Sequence, residues 1–177
     1  HGLGPPRFPE HMTPEQAVQH LRRANEVARR AMGLGRHPFG AVLVAPDGET
    51  VLAEQGNVDT VNHAESVLAR TAAQNYSADY LWQCTLVTTV EPCAMCAGTQ
   101  YWAHIGRLVY GMTESRLLAL TGNHAENPTM ALPCREVFAR GQKAIEVIGP
   151  VPDAEPDIAS LHQDFWSKQA AARTQPA

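Results

Sequence analysis

Two short fragments carry the side chains best suited to chemistry: His63-Ala64-Glu65 and, further along, Pro92-Cys93-Ala94-Met95-Cys96. Each follows loop-like or strand-like sequence and opens a predicted helix. Cys93 and Cys96 therefore share one helical face a turn apart, near enough to hold a single ion. A helix N-terminus favours anions, which lowers thiol pKa values and helps keep both sulfurs as thiolates. One imidazole and two thiolates make three zinc ligands. A structural zinc site is normally closed by a fourth, and no cysteine or histidine stands beside either fragment in suitable spacing. Three ligands leave a position for water, whose pKa a bound zinc brings down to about 7. Glu65 then faces the same cavity without being a ligand, placed to take a proton from that water and pass it on. A thioredoxin-like redox pair would account for Cys93 and Cys96 but not for a His-x-Glu on the preceding helix.

A second Asn-His-Ala-Glu, at 123–126, follows the first at 62–65. Only Leu132-Pro133-Cys134 comes after it, with Val137 where a second thiolate would be needed, so it cannot assemble the same site. His124 reads as a loop residue, with a place near the substrate as the sharper alternative. His37, before Pro38, reads as structural, and Cys84 and Cys134 as core or surface thiols.

The elements that must position these residues follow from periodicity. Thr13-Pro14-Glu15-Gln16 is a helix opening: a capping threonine, a proline suited to the first turn and a glutamine completing a capping box. Val18, Leu21, Ala24, Ala28 and Ala31 form its apolar stripe, and Gly33 and Gly35 end it. A strand over 39–44, an Asp47-Gly48 turn and a returning strand from 50 read as a hairpin. Helices over 63–74 and 93–103 alternate with strands over 85–90 and 107–110. Beyond them lie a helix over 132–140, an edge strand over 144–148, a proline-rich connector and a last helix over 157–171. This order implies an α/β fold with a largely parallel sheet covered by helices on both faces.

The 177 residues suit one domain with modest extras. Residues 1–11, rich in Gly and Pro and running directly into Met12, read as the remnant of an expression tag. That leaves 12–177 as a single domain with a C-terminal helix from about 157. At 44% apolar and 18% charged residues, the chain has material for a core, and no stretch approaches a membrane span. The start lacks a secretory layout, and Cys-x-x-Cys without a signal suits the reducing cytoplasm. A net charge of −4, with lysine only at 143 and 168, disfavours nucleic acid as a partner.

His-x-Glu followed by Pro-Cys-x-x-Cys resembles the zinc-dependent cytidine and deoxycytidylate deaminase superfamily, over roughly residues 13–148. The resemblance implies a three-layer α-β-α sandwich on a five-stranded mixed sheet, one zinc per chain, and hydrolytic replacement of an exocyclic amine by a carbonyl with release of ammonia. Pro38-Phe39-Gly40-Ala41, Glu91 to Cys96 and Tyr101-Trp102-Ala103 look like its guanine deaminase branch, an enzyme of purine metabolism. On that footing Asn57, Phe39, Trp102 and Ala64 contact a nucleobase or small nucleoside, Phe39 and Trp102 as aromatic walls. Phe165-Trp166 resembles a C-terminal segment that closes over an active site, often a partner's, and a homodimer is implied. For the acidic residue which that branch places after the fourth strand, Glu114 and Arg116 both align.

Other readings share these motifs. Asn75-Tyr76, Cys96-Ala97-Gly98 and Ile105-Gly106-Arg107 resemble tRNA-adenosine deaminases, but the stretch from Arg116 to Gly122 is bulky where those enzymes have small residues. A cytosine deaminase of the same fold is a further option. A zinc-stabilised binding module without activity is the non-enzymatic one, and the intact Glu65 argues against it.

Overall fold

The computed structural model describes residues 12–122 and 124–174; residues 1–11 fall outside it. Helix α1 (Pro14–Gly33) opens as expected. The Thr13 hydroxyl accepts from the Gln16 N–H, and the Gln16 side chain accepts from the Thr13 N–H. Strands β1 (Gly40–Val44) and β2 (Val51–Gly56) form the hairpin, with Gly48 at φ +76° in the turn. There follow α2 (Ala64–Asn75), the single turn α3 (Ala78–Leu81), β3 (Thr85–Val90), α4 (Ala94–Ala103) and β4 (Arg107–Met112). The chain continues through α5 (Glu114–Thr121), α6 (Cys134–Ala139), β5 (Glu146–Ile148) and α7 (Glu155–Thr174).

The sheet order is β2-β1-β3-β4-β5. β1 runs antiparallel to both β2 and β3, while β3, β4 and β5 are parallel. The sheet is therefore mixed rather than largely parallel, because the tight hairpin turns β1 against the direction of the crossover strands. Alternation along the buried strands divides the core into two layers. Val42, Val44, Val87 and Val109 face α1, α5 and α7, packing with Leu21, Leu117 and Ile158. Ala41, Leu43, Leu86 and Leu108 face α2, α4 and α6, packing with Leu68, Ala97 and Phe138. This is the expected three-layer sandwich.

A Cβ at Gly40 would collide with the Ala24 carbonyl and the Ala28 nitrogen, so glycine lets α1 seat directly on β1 beside Phe39. Two helices were not expected. α3 is one turn under a Ser77 cap, and α5 sits under a Thr113 cap in a stretch too short for its periodicity to declare itself. α7 begins before the expected 157, because Pro156, read as connector, lies in its first turn, where a missing N–H costs nothing.

Candidate active site

The two helices that carry the motifs point their N-termini at one place. His63 is the N-cap residue of α2 and Cys93 that of α4. The loop before α2 is shaped by Asp59, whose Oδ1 accepts the N–H groups of Val61 and Asn62 at 2.9 and 2.6 Å. That turn brings the Thr60 carbonyl to 2.9 Å from His63 Nε2. A carbonyl only accepts, so Nε2 carries the proton and Nδ1 presents its lone pair, as an outer hydrogen bond does for a metal-binding histidine.

His63 Nδ1 lies 3.6 Å from Cys93 Sγ and 3.5 Å from Cys96 Sγ, and all three donor atoms fall within 4.8 Å of one another. Ser66 on α2 donates to Cys96 Sγ at 3.1 Å, locking that sulfur against the facing helix. Without a cation the cluster holds its own protons. Cys93 is drawn down to about 4, chiefly by the hydrogen bond from Cys96 and then by His63. Cys96 is raised as the proton holder of the pair, and His63 is raised to about 9 by the Cys93 thiolate. Such a donor set suits a soft divalent cation that displaces those protons.

Glu65, in the first turn of α2, is 5% exposed, and burial raises its carboxyl to about 7, with the neighbouring Cys93 adding to the shift. A cation among the donors acts in the opposite direction. The donors open onto a cavity of about 300 Å³. Its lining includes His37, Phe39, Asn57 and Thr60, with Glu65, Cys93, Met95, Glu114 and residues 126–130. No lysine or arginine stands among the described residues that line it.

Of the residues expected to meet a substrate, Phe39 and Asn57 line this cavity. Asn57 is held there by its N–H to the Phe39 carbonyl at 3.0 Å and by its side chain to the Asp59 carbonyl at 3.2 Å. Trp102 is a correction. It is 80% exposed and lies outside the cavity, against Tyr101 and Lys143. It follows the cavity-lining Met95 by seven positions, on the same face of α4 but two turns and about 10 Å further along the axis, and so stands beyond the cavity. Ala64 is a second correction: its methyl is fully buried with Leu68 in the layer beneath α2 rather than on the cavity wall.

Three features were missed or left open. Of the two residues aligned after β4, Glu114 lines the cavity, whereas Arg116 reaches Glu155 at 3.6 Å. Glu114 is 8% exposed, one carboxyl oxygen has no hydrogen-bond partner among the described residues, and burial raises it to about 8. The position just past a parallel strand's C-terminal end is the only sequence signal for it. The loop after the second Asn-His-Ala-Glu also lines the cavity, and so does His37, which was expected to be structural.

A sheet whose helix N-termini present an imidazole, two cysteine sulfurs and a non-ligating buried carboxyl to one cavity defines a zinc hydrolase with an open coordination position. The sequence matches the family of the cytidine and deoxycytidylate deaminase zinc-binding region over residues 14–112. It is 31% identical over 159 residues to the "Probable cytosine deaminase" of Schizosaccharomyces pombe, spanning 86% of this chain and 93% of that one. It is 38% identical over 105 residues to the tRNA-specific adenosine deaminase of Haemophilus influenzae, 56% of this chain and 60% of that one. The fold is similar to that of the guanine deaminase from Nitrosomonas europaea, with a TM-score of 0.67 and 20% identity over 92% of this chain and 88% of that one. The chain belongs to the cytidine and deoxycytidylate deaminase family and is a zinc-dependent hydrolytic deaminase.

Proposed function

We propose that the chain deaminates a free nucleobase, with a guanine-type purine as first candidate, using His63, Cys93 and Cys96 as zinc ligands and Glu65 as proton carrier. The observation that carries this reading is the cavity itself. Its volume of about 300 Å³ is at the small end for ligand pockets, and its lining joins the Phe39 ring and apolar Val90, Leu117 and Met130 to the acceptors of Asn57, Glu65 and Glu114. Phe39 offers a ring against the flat face of a base. Glu114, with an unpartnered buried oxygen, is an acceptor for the ring N–H and amino groups that guanine presents along one edge. The absence of lysine and arginine from the described lining disfavours phosphorylated nucleotides and polynucleotides.

Zinc bound here supplies Lewis acidity and acidifies a water. Glu65 holds the proton balance: its carboxylate accepts a proton from water, gives it to a ring nitrogen, and serves again as the amine leaves as ammonia. Burial raises this carboxyl and a nearby cation lowers it, and a group held between those opposing effects can both take up and release a proton. Asn57 and Phe39 hold the base in register with that carboxyl.

Cytosine is the second reading, favoured by the match to the Schizosaccharomyces pombe relative over nearly its whole length. Tyr101 and the exposed Trp102 on α4 are the surface on which we place a homodimer contact. No helix among the described residues is long and apolar enough to cross a membrane, and the free cysteines suit the reducing cytoplasm.

Ammonia release from guanine, adenine, cytosine, their nucleosides and an adenosine-bearing anticodon stem–loop tests the reading, with zinc-loaded Glu65→Gln as control. The free purine is expected to turn over best, and Glu65→Gln to lose about 10²–10⁴-fold in rate with its zinc retained. Preference for the stem–loop, or a Glu65→Gln variant at a third of the wild-type rate, would overturn it.

A further inference from the structure

We propose that Trp166 on α7 is a positioning residue for the substrate cavity, acting through His124 and His37 without touching the substrate. Phe165, Trp166 and His162 are all buried, yet none of them lines the cavity. The indole of Trp166 instead stands behind two stretches of the lining, touching His37 of one and His124 beside the other. Its ring centre lies 4.9 Å from that of His37 and 4.7 Å from that of His124, both in edge-to-face geometry. Its N–H donates to His162 Nδ1 at 3.1 Å, and the His162 ring packs edge-on against Phe39 at 4.9 Å.

His37 and Phe39 line the cavity themselves. His124 precedes the lining residues 126–130 and organises them. Its Nδ1 accepts the Glu126 N–H at 3.2 Å, and its carbonyl accepts the Asn127 N–H at 3.0 Å. The described part of this loop, 124–130, belongs to no helix or strand, so its shape depends on such anchors. A wall ordered before the substrate arrives spares the substrate the cost of ordering it. The zinc donors and Glu65 sit on α2 and α4, whereas α7 packs on α1, α5 and β4. Losing the anchor therefore weakens substrate binding and leaves the chemical step alone. The second Asn-His-Ala-Glu thus has a role: its histidine docks a loop instead of binding metal.

The inference rests on reading the cavity as a base site, and its test separates the two. Hydrogen exchange of peptides spanning 124–133 is compared among zinc-loaded wild type, Trp166→Ala, His124→Ala and the double variant, alongside steady-state kinetics. In each single variant loop exchange should quicken and KM rise about tenfold, while kcat stays within about threefold and zinc is retained. The double variant should be no worse than the worse single one, and Trp166→Phe, which keeps a ring, should recover most of the KM. If Trp166→Ala does not fold, His124→Ala carries the test from the surface side. Unchanged loop exchange in His124→Ala, or an unchanged KM with faster exchange, overturns the proposal. Should wild type deaminate no base, the proposed function falls, and loop exchange alone decides the anchor.

Discussion

Glu91 accepts the main-chain N–H of Glu114 at 3.1 Å on one carboxylate oxygen and that of Cys134 at 2.9 Å on the other. One buried side chain at the end of β3 thus ties down the starts of α5 and α6, and it stands two residues before the zinc-site cysteine Cys93. Both donors are helix-terminal N–H groups with no partner inside their own helices, and an ionised carboxylate answers both.

Glu91→Ala is accordingly expected to be severe. Hydrogen bonds to a charged group contribute about 1.5–3 kcal/mol each, and here two buried donors lose their acceptor at once. Urea unfolding of the zinc-loaded protein should show a loss of about 3 kcal/mol or more. Glu91→Gln should fall between, because its amide keeps one acceptor and turns N–H groups toward a donor. A cost below about 1 kcal/mol for alanine would contradict this role.

Zinc content separates the ligands from their surroundings. Cys93→Ala leaves two donors and should lose most of its zinc in elemental analysis. Chelation should lower the wild-type unfolding midpoint, since metal binding stabilises only the folded donor set. Wild-type zinc levels in Cys93→Ala would remove Cys93 from the ligand set.

How far these features could be read from the chain depends on how local they are. The donors of α4 stand one turn apart, and the Thr13 cap closes within three residues, so type and spacing suffice. Glu91 reaches partners 23 and 43 residues away, which no pattern in the chain announces. Trp102 was misplaced because aromatic character says nothing about how far along α4 the cavity extends: it shares a face with the cavity-lining Met95 but stands two turns beyond it. The choice between Glu114 and Arg116 turned on where β4 ends, and boundaries are the least legible part of a pattern. The loop residues 126–130 line the cavity, and Trp166 of α7, far along the chain, packs against His124 at the start of that loop.

Stability should depend on pH through His162. Burial holds this histidine down to about 3, against 6.5 in its ordinary state. Between those values the unfolded chain binds a proton that the folded chain refuses, so stability present above pH 6.5 is lost as pH falls, by up to about 1.4 kcal/mol per pH unit. Above 6.5 the imidazole is neutral in both states and adds no slope. His162→Gln keeps an acceptor for the Trp166 N–H and removes the titration. From pH 7 to pH 5, wild type should lose about 2 kcal/mol more than the variant in chemical denaturation. Parallel losses would show that the imidazole does not carry the slope.

Trp102 gives opposite expectations for two roles. As an outward residue of α4, its replacement by alanine should leave kcat/KM within about threefold and stability within about 0.5 kcal/mol. If the α4 surface forms the homodimer contact, light scattering at micromolar concentration should move from dimer to monomer. A large rise in KM would instead return the indole to the substrate site, and a wild-type monomer would remove the dimer.

Glu114 offers the sharpest test of substrate chemistry. Its carboxyl is buried, raised to about 8 by that burial and by the negative groups around it, and one oxygen has no partner among the described residues. A group held this way costs stability in the free protein, and such strain persists where a substrate relieves it. Glu114→Gln removes the titrating group at nearly constant volume, so the variant should be at least as stable as wild type at pH 8. Two N–H donors on a guanine edge favour the ionised form of this raised carboxyl, which then accepts from both; the Gln amide accepts one hydrogen bond and cannot be ionised to accept the second. Leaving such a donor unpaired in a buried site costs about 1–3 kcal/mol, or roughly 5–150-fold in kcat/KM for guanine. Cytosine, with fewer donors along the corresponding edge, should lose less, so the ratio of the two substrates is the measurement that decides. Equal losses on both bases would assign Glu114 to the chemistry common to every substrate. A destabilised variant with an unchanged ratio would make it a structural carboxyl.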